Sequence, residues 1–163
     1  MKTKNKVFKM VLVALVALAV VVVSFAKYKH LSPISWNMHN KINQAVFSND
    51  AIEGYDPIAY FTEQKAVKGE KSYSYQWKDA TWYFSSAENM KMFKGNPEKY
   101  APQFGGYCSF AVSKGFTAKI DPQAWKVIDG KLYLFNDETF RSKWESEPER
   151  NMEKDRINSF IGF

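Results

Sequence analysis

Apolar residues follow distinct patterns along the chain. Residues 10–23 form an unbroken apolar run with no polar face at a helical period. Residues 72–77 alternate aromatic and polar side chains, which is the two-residue period of a half-buried strand. Phe140 and Trp144 lie four residues apart, the spacing of neighbours on one helix face. The pattern therefore predicts an apolar segment at the N-terminus, followed by a domain of mixed helices and strands.

Two hairpins are predicted within that domain. The strand over residues 72–77 meets a second strand over residues 81–84 after a Lys-Asp-Ala turn. Residues 125–128 and 131–135 flank an Asp-Gly dipeptide, which favours the tight turns whose twist matches paired strands. Both hairpins are expected to contribute to one small antiparallel sheet.

Two other apolar stretches are predicted to be short strands. Residues 58–61 follow a Gly-Tyr-Asp-Pro turn, and residues 107–112 follow a Gly-Gly pair. In the second of these strands, Cys108, Phe110 and Val112 lie on one face because side chains alternate along a strand.

Capping signals predict where the helices begin and end. Ser85 and Glu88 fit a capping box, so a helix is expected over residues 86–94 with Met90 on its apolar face. Gly95 is expected to end that helix in the left-handed conformation. The other helical predictions are a helix capped by Asn136 or Asp137, one turn after Pro97, a loose helix over residues 36–46 and a last helix over residues 149–161.

The N-terminus has the organisation of an export signal. Four lysines and no acid precede the apolar run, and the small residues Ser24 and Ala26 follow it. The run of 14 residues is shorter than the roughly 20 that cross a bilayer, although residues 24–26 lengthen it to 17. Two outcomes stay open: cleavage after Ala26, or retention of residues 7–26 as a membrane anchor. Both predict an exported, periplasmic domain.

Charge and cysteine content narrow the functional classes. The net charge is +6, but the four lysines of the export segment leave only about +2 for the remainder, so nucleic-acid binding loses its electrostatic support. A single cysteine, Cys108, excludes an internal disulfide. Aromatic residues make up 17% of the chain and are expected to supply the core instead.

The predicted organisation has four parts. Residues 1–26 are the signal peptide or anchor, and residues 27–50 are a leader with one helix. Residues 51–147 form an α+β domain in which short helices pack on one side of the small sheet. Residues 148–163 carry the last helix.

Several runs in that domain resemble the YHS domain family, and two of them look like its stand-alone, exported bacterial branch. The runs are GYDPIAYF (54–61), WYFSS (82–86), NPEKY (96–100), and, for the exported branch, APQFGGYC (101–108) and DPQAW (121–125). The resemblance covers about residues 51–147 and implies a compact α+β fold. It fixes the family and leaves the activity open.

The resemblance also implies a metal site that this chain lacks. Family members that accompany heavy-metal transporters carry three cysteines taken to be metal ligands. Those positions fall here on Ala59, Ser85 and Asn89. Copper(I) and zinc require thiolate, imidazole or thioether donors, which alanine, serine and asparagine do not supply. The sequence therefore has the surrounding motifs of the family without its thiolate ligands.

Other residues remain candidates for a site. Cys108, Met90 and His39 supply the thiol, thioether and imidazole donors of a composite site for copper or another transition metal. The alternative is structural: Cys108 and Met90 as core residues and His39 as a solvated one. Asp56 is explained by turn formation, since it precedes Pro57.

The sequence favours an exported binding or accessory protein whose ligand is a metal ion or a small molecule. The alternative is an interaction module, without a ligand, that docks onto an unidentified envelope protein. An enzyme is the least favoured class, because no catalytic arrangement of residues is recognisable. The cofactor, if any, is not identified by these patterns.

Overall fold

Two β-hairpins, each covered by a helix, carry the core of the domain. The computed structural model describes residues 2–28, 32–33, 40–45 and 48–147. The helices are α1 (Lys2–Tyr28), α2 (Ala59–Thr62), α3 (Ala87–Gly95), α4 (Pro97–Tyr100), α5 (Ser109–Ser113) and α6 (Glu138–Glu145), with 3-10 turns at Ile52–Gly54 and Gln103–Gly106. The strands are β1 (Ser32–Pro33), β2 (Glu70–Trp77), β3 (Ala80–Phe84), β4 (Phe116–Thr117), β5 (Asp121–Ile128) and β6 (Lys131–Phe135).

The strands of the described part form three antiparallel pairs: β1 with β4, β2 with β3, and β5 with β6. The two long pairs are the predicted hairpins, and the α+β class is confirmed. Each hairpin forms a two-stranded sheet of its own, which corrects the expectation that both contribute to one sheet. The hairpins are joined through packed side chains and helices rather than through backbone hydrogen bonds between them.

The first hairpin packs its aromatic side chains against α3. Trp82 and Phe84 of β3 are fully buried, and their ring centroids lie 5.0 and 5.3 Å from that of Phe93 on α3. Burial of rings this large supplies much of the hydrophobic stabilisation of a domain without disulfides.

The second hairpin is covered by α6. Asp129 and Gly130 have φ angles of 50° and 71°, as a tight hairpin turn requires. Asp137 begins α6 by accepting a hydrogen bond from Phe140 N–H at 3.0 Å. Trp144 is then fully buried, with its ring 4.9 Å from that of Tyr133.

Two predicted strands are helices. Residues 58–61 were expected to be extended, but Ala59–Thr62 forms one helical turn, because the Asp56 side chain accepts from Ile58 N–H and starts it. Residues 107–112 were also predicted as a strand. Instead, Ser109–Ser113 is helical, and Val112 N–H donates to Cys108 C=O at 3.0 Å.

The geometry that precedes α5 explains the second error. Gly105 and Gly106 both have positive φ, so the chain turns sharply before Cys108. Cys108 N–H pairs with Ala118 C=O, which fixes the start of the helix. Cys108 and Val112 are therefore buried one helical turn apart, while Phe110 faces a different side.

Both ends of α3 also differ from the prediction. Ser86, not Ser85, is the cap, since its hydroxyl accepts from Asn89 N–H at 3.1 Å. Gly95 is the last helical residue and has no positive φ. Asn96 follows and starts α4 by accepting from Lys99 N–H at 3.2 Å.

The leader packs on the domain over its described portion. Residues 40–45 are not helical, which corrects this part of the loose helix predicted over residues 36–46. Asn43 is buried and binds Gly105 C=O through its N–H and Gly106 C=O through its side-chain amide. Residues 36–39, residue 46 and the predicted helix over 149–161 lie outside the described residues.

Within α1, Phe8–Phe25 is long and apolar enough to cross a membrane, and all of its side chains are exposed in the monomer. This composition and its place near the N-terminus are common to signal segments and membrane anchors.

Candidate functional site

Asp56 is the centre of a closed hydrogen-bonding cluster. Its side chain is completely buried. Oδ1 accepts from Ile58 N–H at 2.8 Å, and Oδ2 accepts from Ser85 N–H at 2.8 Å and the Ser85 hydroxyl at 2.7 Å. The side-chain amide of Asn89 donates to Oδ2 at 2.7 Å and to Ser85 Oγ at 3.1 Å. Four donors thus compensate the desolvated carboxylate and tie α2 to α3.

This cluster includes two of the three positions, Ser85 and Asn89, at which the family resemblance expects metal ligands. Ser85 and Asn89 both direct their donor hydrogens at Asp56, and Ala59 has no donor atom and is fully buried. A soft metal ion would have to displace these hydrogen bonds and would meet no thiolate or imidazole. The residues present therefore do not fit the family's thiolate-held metal.

The predicted composite site is distributed over different parts of the described chain. Cys108 lies at the start of α5, where its backbone bridges to Leu134 of β6. Met90 is half-buried on α3, which packs on the first hairpin. His39 lies outside the described residues. Within the described ranges, no group of three or more His, Cys, Asp or Glu side chains is arranged to hold a metal.

Burial governs the chemistry of Cys108. The side chain is 1% exposed, and this desolvation raises the pKa of its thiol above the ordinary value. Backbone N–H groups of Ala111, Asn136 and Phe110 only partly oppose the shift. The thiol is therefore protonated at neutral pH, and it is a poor nucleophile and metal ligand in that state.

Cys108 lies at the inner wall of an apolar cavity of about 420 Å³. The cavity is framed by α5, β4 and the start of α6. Its apolar walls come from Phe25, Phe110, Ala111, Phe116, Ala118 and Phe140, and its polar lining from Lys114, Lys119 and Asn136. A concave, mainly apolar surface with few polar groups is the usual form of a small-molecule site.

Aromatic rings and lysines are paired around this cavity. The rings of Phe110 and Phe140 lie 5.2 Å apart and tilted by 40°. Lys114 Nζ lies 5.2 Å from the Phe110 ring centroid and 3.9 Å from a Glu147 carboxylate oxygen. Lys119 adds a second positive charge, so the polar part of the lining favours a negatively charged group.

Two other cavities among the described residues have more charged linings. One, of about 380 Å³, contains Lys41, Lys78, Asp79 and Glu98. The other, of about 420 Å³, lies beside Tyr60 and Trp125 and contains Lys126 and Arg141. Arg141 is engaged there by carboxylates of Glu138 and Glu145. Of these three cavities, the cavity at Cys108 has the most apolar walls.

The sequence patterns predicted neither the Asp56 cluster nor the cavity at Cys108. Asp56 was explained by its turn alone, although Ser85 and Asn89 are spaced four apart and can present donors on one helical face. The cavity was not predicted, because residues 107–112 were expected to form a strand with Cys108, Phe110 and Val112 on one face. No local signal links Phe116 to Phe140 across β5 and β6.

Comparison with known proteins gives a match to part of the chain. The model of the YHS domain matches residues 58–104 of the chain. No curated protein and no solved structure matches it. The match includes Ala59, Ser85 and Asn89, whereas the cavity residues from Cys108 onward lie beyond it.

Proposed function

We propose that this chain, which carries a YHS domain at residues 58–104, is a non-enzymatic binding protein of the cell envelope. Its ligand is a small apolar molecule with one acidic group, held in the cavity at Cys108. The carrying observation is that cavity, with phenylalanine and alanine walls and two lysines in its lining.

The chemistry of the lining supports this ligand class. Apolar surface transferred from water to the cavity contributes roughly 25 cal/mol per Å². Aromatic walls such as Phe110 and Phe140 also favour a flat ring over a flexible chain. Lys114 and Lys119 fix the orientation by attracting the acidic group.

The structure gives less support to metal binding and to an enzymatic activity. Two of the family's three ligand positions are used by the Asp56 cluster, and the Cys108 thiol is held protonated by burial. Catalytic groups in active sites are commonly exposed to a cleft with pKa values tuned toward neutrality, which is the opposite arrangement.

The N-terminal segment supports an envelope location. Three lysines precede the stretch Phe8–Phe25 and a fourth, Lys9, lies at its start, whereas two, Lys27 and Lys29, follow it. The end of a membrane segment with the excess of positive charge is retained on the cytoplasmic side. The domain then lies on the opposite side, either anchored or released after Ala26.

The labelling rate of Cys108 tests the ligand, because the thiol lies in the cavity wall. The full chain is placed in phospholipid nanodiscs and labelled with N-ethylmaleimide, with 1-naphthoate as the probe. We expect slow labelling that naphthoate slows further, by about tenfold when its free concentration is ten times its Kd. A rate independent of naphthoate in the wild-type chain would overturn the proposal.

Two alanine substitutions provide the matched control. Ala111→Leu places a larger side chain inside the cavity and should abolish the naphthoate effect. Ala87→Leu makes the same change at an exposed position at the start of α3 and should preserve it. An equal naphthoate effect in both variants contradicts binding in this cavity.

A further inference from the structure

The end of α1 is connected to β4 by a very short segment. α1 ends at Tyr28, and Ser32 and Pro33 form β1, which pairs with Thr117 and Phe116 of β4. Phe25, the last residue of the apolar stretch, also lines the cavity beside β4. The backbone pairing and the side-chain contact independently place the end of the stretch near Phe116.

Chain geometry limits how far the domain can move from a membrane that holds α1. Four residue steps from Tyr28 to Ser32 span at most about 14 Å. A domain of about 100 residues has a radius of gyration of about 13 Å, so its diameter is more than twice this length. The side that carries β1 and β4 therefore lies close to the bilayer whenever α1 is held in it.

That side carries an unusual exposed aromatic residue. Among the described residues after α1, the exposed large apolar side chains are Phe116, 42% exposed, and Met92, 39% exposed. Phe116 continues into the half-buried Phe110 and Phe140 at the cavity, whereas Met92 lies on α3 against the first hairpin. Phe116 thus belongs to a larger apolar surface.

Lysines exceed carboxylates around this surface, although Asp137 also lies beside it. Lys114 is exposed and Lys119 half-buried at its edge, and Lys143 Nζ lies 5.4 Å from the Phe140 ring. Glu147 lies 3.9 Å from Lys114 and offsets part of this charge. Phenylalanine flanked by lysines is the composition of surfaces that bind the interface of membranes with anionic lipids.

We propose that, in the chain that retains α1, the Phe116 face (Phe110, Lys114, Phe116, Lys119 and Phe140) rests on a bilayer containing anionic phospholipid. Phe116 enters the interface between headgroups and acyl chains, and the lysines contact the headgroup phosphates. The domain is thereby held in one orientation, with its cavity facing the membrane. This inference does not depend on the identity of the cavity's ligand.

Quenching by brominated lipid tests the orientation directly. The full chain is reconstituted in vesicles of phosphatidylcholine and phosphatidylglycerol whose acyl chains carry bromine close to the headgroup. Phe116→Trp adds one fluorophore at the proposed contact, and Met92→Trp adds one at a similarly exposed position elsewhere. We expect brominated lipid to remove most of the emission added by Phe116→Trp and little of that added by Met92→Trp. Equal quenching of both, or none, would overturn the proposal.

A separate experiment tests the contribution of the lysines and of anionic lipid to membrane contact. In the Phe116→Trp chain, Lys114→Glu with Lys119→Glu should reduce the quenching, as should vesicles without phosphatidylglycerol. Unchanged quenching in both would overturn the role of anionic lipid. The naphthoate experiment reads a different signal, so failure of the cavity proposal and failure of this one are distinguishable.

Footprinting of the unsubstituted chain removes any dependence on the folding of the variants. Hydroxyl-radical oxidation of Phe116 and Met92 is measured in the same vesicles, each relative to the unfolded chain. Protection of Phe116 with an accessible Met92 supports the proposal, and equal accessibility of the two contradicts it.

Discussion

At the scale of single residues, the buried carboxylate of Asp56 connects two segments that lie far apart in the sequence. The carboxylate accepts hydrogen bonds from Ile58, which precedes α2, and from Ser85 and Asn89 at the start of α3. Hydrogen bonds to a buried charge contribute more than neutral ones, and a donor left unpaired costs more than the bond was worth. We interpret the cluster as the structural connection between α2 and α3.

Asp56→Asn should therefore destabilise the domain strongly. The amide replaces one acceptor oxygen by a donor, which faces Ile58 N–H at the Oδ1 position or the donors of Ser85 and Asn89 at the Oδ2 position, so either orientation leaves buried groups unpaired. We expect a loss of about 3 kcal/mol in the free energy of unfolding, measured by denaturant titration of the full chain in detergent.

Asp79→Asn is the matched control for this change. Asp79 is exposed, at φ 60° in the β2–β3 turn, a conformation that Asn adopts readily. The control should change the free energy of unfolding by no more than about 0.5 kcal/mol. Similar losses in the two variants would show that the Asp56 cluster contributes little.

At the scale of elements, a close backbone contact determines where residues 40–45 pack on the domain, and the helical propensity of these residues does not predict it. The 3-10 turn Gln103–Gly106 holds residues 40–45 against the domain through Asn43. A Cβ atom built on Gly105 would lie 2.0 Å from the carbonyl oxygen of Lys41. Only glycine allows this approach, which buries Ile42 in the core.

Gly105→Ala should accordingly release the segment over residues 40–45. Positive φ alone costs roughly 1 kcal/mol for alanine, and the clash with Lys41 raises the loss to about 3 kcal/mol or more. Gly130→Ala has a similar φ of +71° with nothing within 4 Å, so it should cost only the conformational part. Hydrogen exchange at Asn43 N–H measures the release of residues 40–45. Equal unfolding free energies for the two variants would show that the contact with Lys41 contributes nothing.

At the scale of the whole molecule, buried acidic groups make the fold sensitive to alkali. Burial raises the pKa of the Cys108 thiol from 9.0, that of Tyr107 from 10.0 to about 12, and that of Tyr60 well above 10.0. At a pH between the unfolded-state pKa and the folded-state pKa of each group, the folded state therefore binds more protons than the unfolded state. Their stabilising contribution is complete below the unfolded pKa and is lost as pH rises toward the folded one.

The free energy of unfolding should fall as the pH increases from about 9 toward 12. Tyr107→Phe and Tyr60→Phe should each flatten this dependence above pH 10, because the ionisable hydroxyl is gone. Burial and a hydrogen bond with Asp50 also raise the pKa of half-buried Tyr83, so Tyr83→Phe should change the dependence in the same direction. Denaturant titrations across this pH range provide the measurement, and a curve unaltered by all three substitutions would refute the linkage.

The sequence by itself determined the features that depend on local chemistry. The hairpin turn at Asp129-Gly130, the Asp137 cap and the apolar segment Phe8–Phe25 are set by residues that lie within a few positions of one another. The α+β class follows from them, because periodicity separates helices from strands. These were confirmed.

Tertiary structure alone decided the features that join distant residues. Residues 58–61 and 107–112 have strand-like composition, but a carboxylate cap and a pair of left-handed glycines made both helical. Asp56 binds Ser85 and Asn89, 29 and 33 positions away, and the cavity at Cys108 joins α5 to Phe140 of α6; no local pattern encodes those contacts. Packing selects among local preferences of similar energy, which is why the frame of this protein was predictable and its candidate site was not.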